Sequence, residues 1–127
     1  MNLLLDTCTF LWLIAGEPLS AAAAAAVQDP SHEVLLSAVS AWEIAVKYHA
    51  GRLPLPEPPE RLIPTRRARR GIETLPLDEE AALHVLRLPL LHGDPFDRML
   101  IAQAVAHGLA IVTPDPAIRQ YPVRVIW

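Results

Sequence analysis

Short apolar runs, each handing over to a helical pattern, constrain the fold of this chain more than any other feature. NLLLD (residues 2–6), EVLLS (33–37) and LAIVTPD (109–115) read as strands. Their alternation with helices is the sequence form of an α/β domain on a mostly parallel sheet. TCTFLWLIAG reads as a helix closed by Gly16, and LSAAAAAAVQD as a second, with Ser20 as its cap and a run of alanines, the best intrinsic helix formers. AVSAWEIAVKYHAG, ended by Gly51, is a third helix. RLPLPEPPERLIP (52–64) holds five of the thirteen prolines and reads as a loop. IETLPL is a short strand, DEEAALHVLRL a helix capped near Asp78, and PFDRMLIAQAVAHG a strongly apolar helix. A brief helical turn at 117–119 and an edge strand, VRVIW, follow the last long strand.

A chain of 127 residues that is 52% apolar fits one domain with a substantial core and gives no case for disorder. Its opening residues lack a basic n-region, carry Asp6 within the apolar run and fall short of membrane-spanning length. They predict a cytoplasmic protein with no signal peptide or transmembrane helix. The single cysteine, Cys8, supplies neither an internal disulfide nor a thiolate zinc site. A formal net charge of −3 argues against a nucleic-acid binder that relies on a broad basic surface. Yet four arginines, Arg66, Arg67, Arg69 and Arg70, crowd together. They form either a solvated helix face or a handle for phosphates, which guanidinium groups match with paired hydrogen bonds.

Carboxylates fall at the predicted junctions of strands and helices. Asp6 ends the first strand, Asp115 lies just beyond LAIVT, and Asp97 sits in the first turn of the helix that Asp94 caps. In open parallel sheets, ligands bind beyond the carboxyl ends of the strands, where such junctions gather. Asp6, Asp97 and Asp115 each also have a capping explanation. Glu43 lies well inside its helix and has none, although Glu43 and Lys47 have the i,i+4 spacing of an ordinary surface pair. Four acids around one cleft would repel one another unless neutralised, and a hard divalent cation, Mg²⁺ or Mn²⁺, does this best. The five histidines (His32, His49, His84, His92, His107) are scattered and show no ligand spacing.

LLLDTCTFLWLIAG, LLSAVSAWEIAVKYHAGRLPL, HGDPFDRMLIAQAVAHGLAIVTPDPAI and Tyr121 with the last strand together resemble PIN-domain ribonucleases, specifically the VapC toxins of type II toxin–antitoxin pairs. The resemblance spans nearly the whole chain. It implies a PIN-like three-layer α/β/α domain and a metal-dependent endoribonuclease that cuts RNA with a water activated by Mg²⁺ or Mn²⁺. It assigns Asp6, Glu43, Asp97 and Asp115 as the catalytic and metal-holding quartet, with Thr113 beside the metal waters and Asp94 capping and orienting its helix. Arg98 and Lys47 become candidates for carboxylate or phosphate contact, Arg98 with a packing role as the alternative. A homodimer and a cognate VapB-type antitoxin are the implied partners.

Some details depart from the family pattern. Cys8 stands where many relatives have histidine, and the polyalanine helix and proline-rich loop are peculiar to this chain. The apolar run from Phe10 to Ile14 exceeds a single core-facing stripe, which fits either a helix buried on both sides or an interface. Two other function classes stay open on residues alone. One is a phosphotransfer or phosphatase-like domain using Asp6, weakened by Cys8 at the place of the second acid in a D-x-D pair. The other is a non-catalytic interaction module in which every acid is a cap or a surface pair.

Overall fold

The computed structural model describes residues 1–127 and is built on five parallel strands. These are β1 (Asn2–Leu5), β2 (Glu33–Ser37), β3 (Glu73–Leu75), β4 (Ala110–Val112) and β5 (Val125–Ile126), in the order β3-β2-β1-β4-β5. Leu4 of the central strand pairs with Leu35 on one side and Ile111 on the other. Seven helices cover the sheet: α1 (Thr7–Ala15), α2 (Ala21–Gln28), α3 (Ala38–His49), α4 (Pro59–Arg69), α5 (Glu79–His84), α6 (Pro95–His107) and α7 (Pro116–Arg119).

Successive side chains of β1 point to opposite faces and so enter different cores. Leu3 and Leu5 pack with Phe10 and Ile14 of α1, Ala23 of α2 and Leu62 of α4. Leu4 joins Leu100 and Ile101 of α6, Ile118 of α7 and Tyr121 on the other side. Helix α3 serves both layers, since Ile44 belongs to the first cluster and Val39 to the second. The outcome is the three-layer α/β/α arrangement, with every strand pair parallel.

Buried Gln103 of α6 ties the layers where this positions the site. Its side-chain oxygen accepts from the hydroxyl of Ser37, the N-cap of α3, and its amide nitrogen donates to the Pro76 carbonyl at 3.3 Å. Gln103→Leu keeps the volume but leaves both groups short of a partner. It is expected to cost about 1–3 kcal/mol, read as a lower urea midpoint.

Several boundaries differ from the sequence reading. Residues 59–64 of the proline-rich stretch are helix, because Pro59 occupies the first helical turn, where its missing N–H is harmless. Pro64 lies inside α4 at the loss of one internal bond, and the helix continues because Leu62 and Ile63 bury their side chains. The segment 78–88 is divided between α5 and a 3₁₀ turn at Val85–Arg87. The three later strands are shorter than their apolar runs. The apolar run of α1 buries Phe10 and Ile14, while Trp12 stays partly exposed and stacks at 5.9 Å on Trp127. No helix is long and apolar enough to cross a membrane.

Candidate active site

Chain connections diverge at β1, with β2 and β3 to one side and β4 and β5 to the other. A crevice opens at the carboxyl ends of strands where this happens. There a cleft of about 250 Å³ is lined by Asp6, Glu43, Asp94, Asp97, Asp115 and Lys47, among others. The topology thus gathers five acids from four separate segments, and every member of the predicted quartet is present.

Each carboxylate is held differently. Asp6 caps α1, accepting from the Thr7 backbone N–H at 2.7 Å, and its Oδ2 accepts from the Thr113 hydroxyl at 2.7 Å and the Cys8 thiol at 3.2 Å. Thr113 therefore acts on Asp6 directly. Glu43 is buried, not a surface residue: Thr7 Oγ1 donates to its Oε1 at 2.7 Å, and Lys47 Nζ donates to its Oε2 at 2.6 Å. Asp94 caps α6 through the N–H groups of Phe96 and Asp97, and Asp115 caps α7 through that of Ala117. Capping and cleft formation coincide here, because helices that begin beyond the strand ends bring their positive termini to the acids.

Crowding shows in the protonation equilibria. Burial, joined by the charges of Asp94, Asp6 and Asp115, pushes Asp97 up to about 7 against the lowering hydrogen bond from His92. Asp6 is also raised, chiefly by burial, with the charge of Glu43 adding and its hydrogen bonds opposing. Burial beside Asp6 pushes the Cys8 thiol up to about 12, so it serves as a neutral donor. Lys47 is held above its ordinary value mainly by its hydrogen bond to Glu43. Lys47→Met removes that partner while Thr7 remains. Because the lysine is 44% exposed, the expected loss is modest, about 1 kcal/mol, measured as a lower urea midpoint in EDTA.

This donor set suits a hydrated hard cation. Its oxygen donors are carboxylates and the Thr7 hydroxyl, Lys47 is the single basic group beside them, and the neighbouring acids raise Asp97. No three His, Cys, Asp or Glu side chains are drawn together closely enough to encage an ion. Mg²⁺ needs no cage, since it keeps several waters and is usually held by one or two carboxylates.

Other predicted residues lie elsewhere. Arg98 meets no carboxylate: it is buried and donates to the carbonyls of Pro89 and Val85 and to the Tyr121 hydroxyl, a packing role. Arg66 donates to the Ile14 carbonyl at the end of α1, and Arg70 flanks a depression with Asn2, Glu33 and Glu73 at the amino ends of the strands. Arg67 and Arg69 face grooves that share no acid with the cleft. None of the four arginines lines the acid cleft, although Arg66 lines a groove that shares Leu11 and Leu53 with it. A residue that spacing passed over, His92, does reach them, with Nε2 at 3.3 Å from Asp97 Oδ2.

The sequence profile described as the PIN domain matches residues 3–123. The chain belongs to the PIN-domain family. Among PIN-domain relatives, Ribonuclease VapC16 of Mycobacterium tuberculosis is 47% identical over 60 residues, a stretch covering 47% of this chain and 43% of that protein. Ribonuclease VapC22 of the same organism is 29% identical over 122 residues, 94% of this chain and 92% of that protein. The fold is shared with VapBC2 from Rickettsia felis, solved bound to a DNA fragment from its promoter, with a TM-score of 0.75 at 15% identity over 98% of this chain and 97% of that one. In this PIN domain, Asp6 follows the central strand and Asp97 lies in the first turn of α6, and both line the cleft.

Proposed function

We propose that this PIN domain is the ribonuclease toxin of a VapBC-type toxin–antitoxin pair, an endoribonuclease that depends on Mg²⁺ or Mn²⁺. The observation that carries the reading is the cleft of five carboxylates, in which Asp97 is pushed up to about 7 by burial and by its neighbours. The capping acids stabilise their helices, but ionised Asp97 among them costs stability, and strongly perturbed acids in a cleft mark function. The VapC names of two relatives support the reaction and the RNA substrate.

Asp6, Glu43, Asp97 and Asp115 would hold the cation. When bound, it supplies a water of lowered pKa as nucleophile and stabilises charge on the phosphodiester oxygens. The chain's own residues set the geometry. Thr113 and Cys8 fix the Asp6 carboxylate, and Thr7 fixes Glu43. Lys47 is the only basic residue lining the cleft, and its partly exposed side chain would supply the contact to a substrate phosphate. No side-chain nucleophile is needed.

The same reading gives the protein a VapB-type antitoxin, supported by the VapBC complex that shares its fold, and a homodimeric state. Exposed Trp42, Leu86 and Leu90 offer apolar surface for such contacts. Expression without antitoxin is expected to arrest growth of a bacterial host, and Asp6→Asn to relieve the arrest at equal protein level. Equal toxicity of the two proteins, or none from the wild type, contradicts the assignment.

A further inference from the structure

Tyr121 organises a hydrogen-bond chain that ends on Asp97. Its hydroxyl is buried and has three neighbours: Arg98 Nη1 at 2.9 Å, the His92 backbone N at 3.3 Å and His92 Nδ1 at 2.8 Å. The guanidinium and the backbone amide can only donate, so they occupy the two lone pairs of the oxygen. The phenolic proton must then leave through the third neighbour. His92 Nδ1 accepts it, which requires that nitrogen to be unprotonated.

A neutral imidazole carries its proton on one nitrogen, so this network places it on Nε2. Nε2 is the nitrogen 3.3 Å from Asp97 Oδ2. The imidazole also packs edge-on against the Tyr121 ring, with centroids 5.3 Å apart, and that tyrosine ring is in turn approached by the Arg98 guanidinium, 5.9 Å from its centroid. Arg98 is itself anchored on the carbonyls of Pro89 and Val85. The chain of contacts therefore runs from the loop before α6, through a buried arginine and tyrosine, to one oxygen of one acid.

We propose that His92 is a positioning residue for Asp97, locked by the Tyr121–Arg98 pair as the Nε2–H tautomer so that it holds Oδ2 and leaves Oδ1 to face a cation. Asp97 Oδ1 accepts no hydrogen bond from the protein, and no side-chain oxygen is sealed from solvent without a partner. Asp94 fixes only the backbone of Asp97, through its N–H at 3.2 Å. Orientation of the carboxylate itself falls to the imidazole. The role rests on the proposed cation site, because a carboxylate that binds nothing needs no such orientation. Partners of this kind, one step removed from an ion, typically change its affinity about 10–100-fold when lost.

The test combines Mn²⁺ titration by calorimetry with nitrogen NMR of the ring in the full-length, antitoxin-free protein. His92→Ala is expected to weaken Mn²⁺ binding by about tenfold or more. His92→Gln, whose amide can reach Asp97 from a similar place, should restore most of the affinity. In the wild type without metal, the NMR should show Nδ1 unprotonated and Nε2 carrying the proton. An Nδ1–H ring, or a His92→Ala protein that folds and binds Mn²⁺ as tightly as the wild type, overturns the proposal. Should His92→Ala not fold, weak binding by His92→Gln together with an Nδ1–H wild-type ring overturns it equally. Failure of the wild type to bind Mn²⁺ at all is a different result: it removes the cation site and this role with it.

Discussion

Asp97→Asn is expected to reduce RNA cleavage by more than about a hundredfold and, in the same protein, to raise Tm in EDTA at pH 8. The loss of activity follows from removing a ligand, since loss of a ligand's outer partner alone typically costs about 10–100-fold. The gain in stability follows from electrostatics. Above pH 7 the metal-free protein must hold Asp97 ionised beside Asp94, Asp6 and Asp115, and its pKa near 7 reports that this charge is unfavourable in the folded chain. Asparagine keeps the shape and removes the charge. A rise of roughly 2–5 °C corresponds to about 1 kcal/mol for a domain of this size. If Asp97 served only as a favourable charge in the first turn of α6, its removal would instead lower stability by about 0.3–1 kcal/mol. The two accounts differ in sign.

Divalent cation is expected to stabilise the protein strongly at pH 8 and weakly at pH 5. Asp97 and Asp6 both titrate above their ordinary range in the folded chain. From about pH 4, where an unfolded aspartate ionises, up to about 7, the folded chain keeps a proton that the unfolded chain has lost. Stability of the metal-free protein therefore falls as pH rises through that window, and below it both states are protonated and these two acids add no penalty. A bound cation replaces the missing proton and competes with it. At tenfold excess over Kd, binding contributes about 1.4 kcal/mol, or roughly 5 °C in Tm. Melting with Mn²⁺ and with EDTA at the two pH values checks this. Equal increments at both, or none at either, would contradict it.

How far such a site can be read before folding depends on how local its causes are. β1 and β2 were legible because three consecutive apolar residues end in a cap, Asp6 in one case and Ser37 in the other. The acids were legible because strand ends and helix starts have short-range signatures, even though Asp6, Asp94 and Asp115 turned out to cap as well as to line the cleft. Helix α4 was hidden by its prolines, since Pro59 looks like a breaker until its place in the first turn is known. Glu43 carried an i,i+4 pair that reads as surface, and only the bond from Thr7, 36 residues earlier, reveals a buried carboxylate. His92 escaped, and the choice between the two readings of Arg98 stayed open, for a similar reason. Both are defined by Tyr121, which lies 29 residues from the first and 23 from the second. The arginine stripe is a strong local signal whose members the fold spreads over several grooves, with Arg66 in one that shares Leu11 and Leu53 with the cleft.

The central claim is that the acid cleft cuts RNA with a bound divalent cation. Incubating total RNA with purified, antitoxin-free protein in Mg²⁺ or Mn²⁺, beside an EDTA sample and the Asp97→Asn protein, tests it most directly. Discrete fragments that disappear in both controls are the expected result, and mapping their ends identifies the target. Cleavage that persists in EDTA or in the variant would contradict the claim. So would intact RNA in every lane from a protein that binds no cation, which would leave the acids as helix caps and, at Glu43, a buried partner of Thr7 and Lys47.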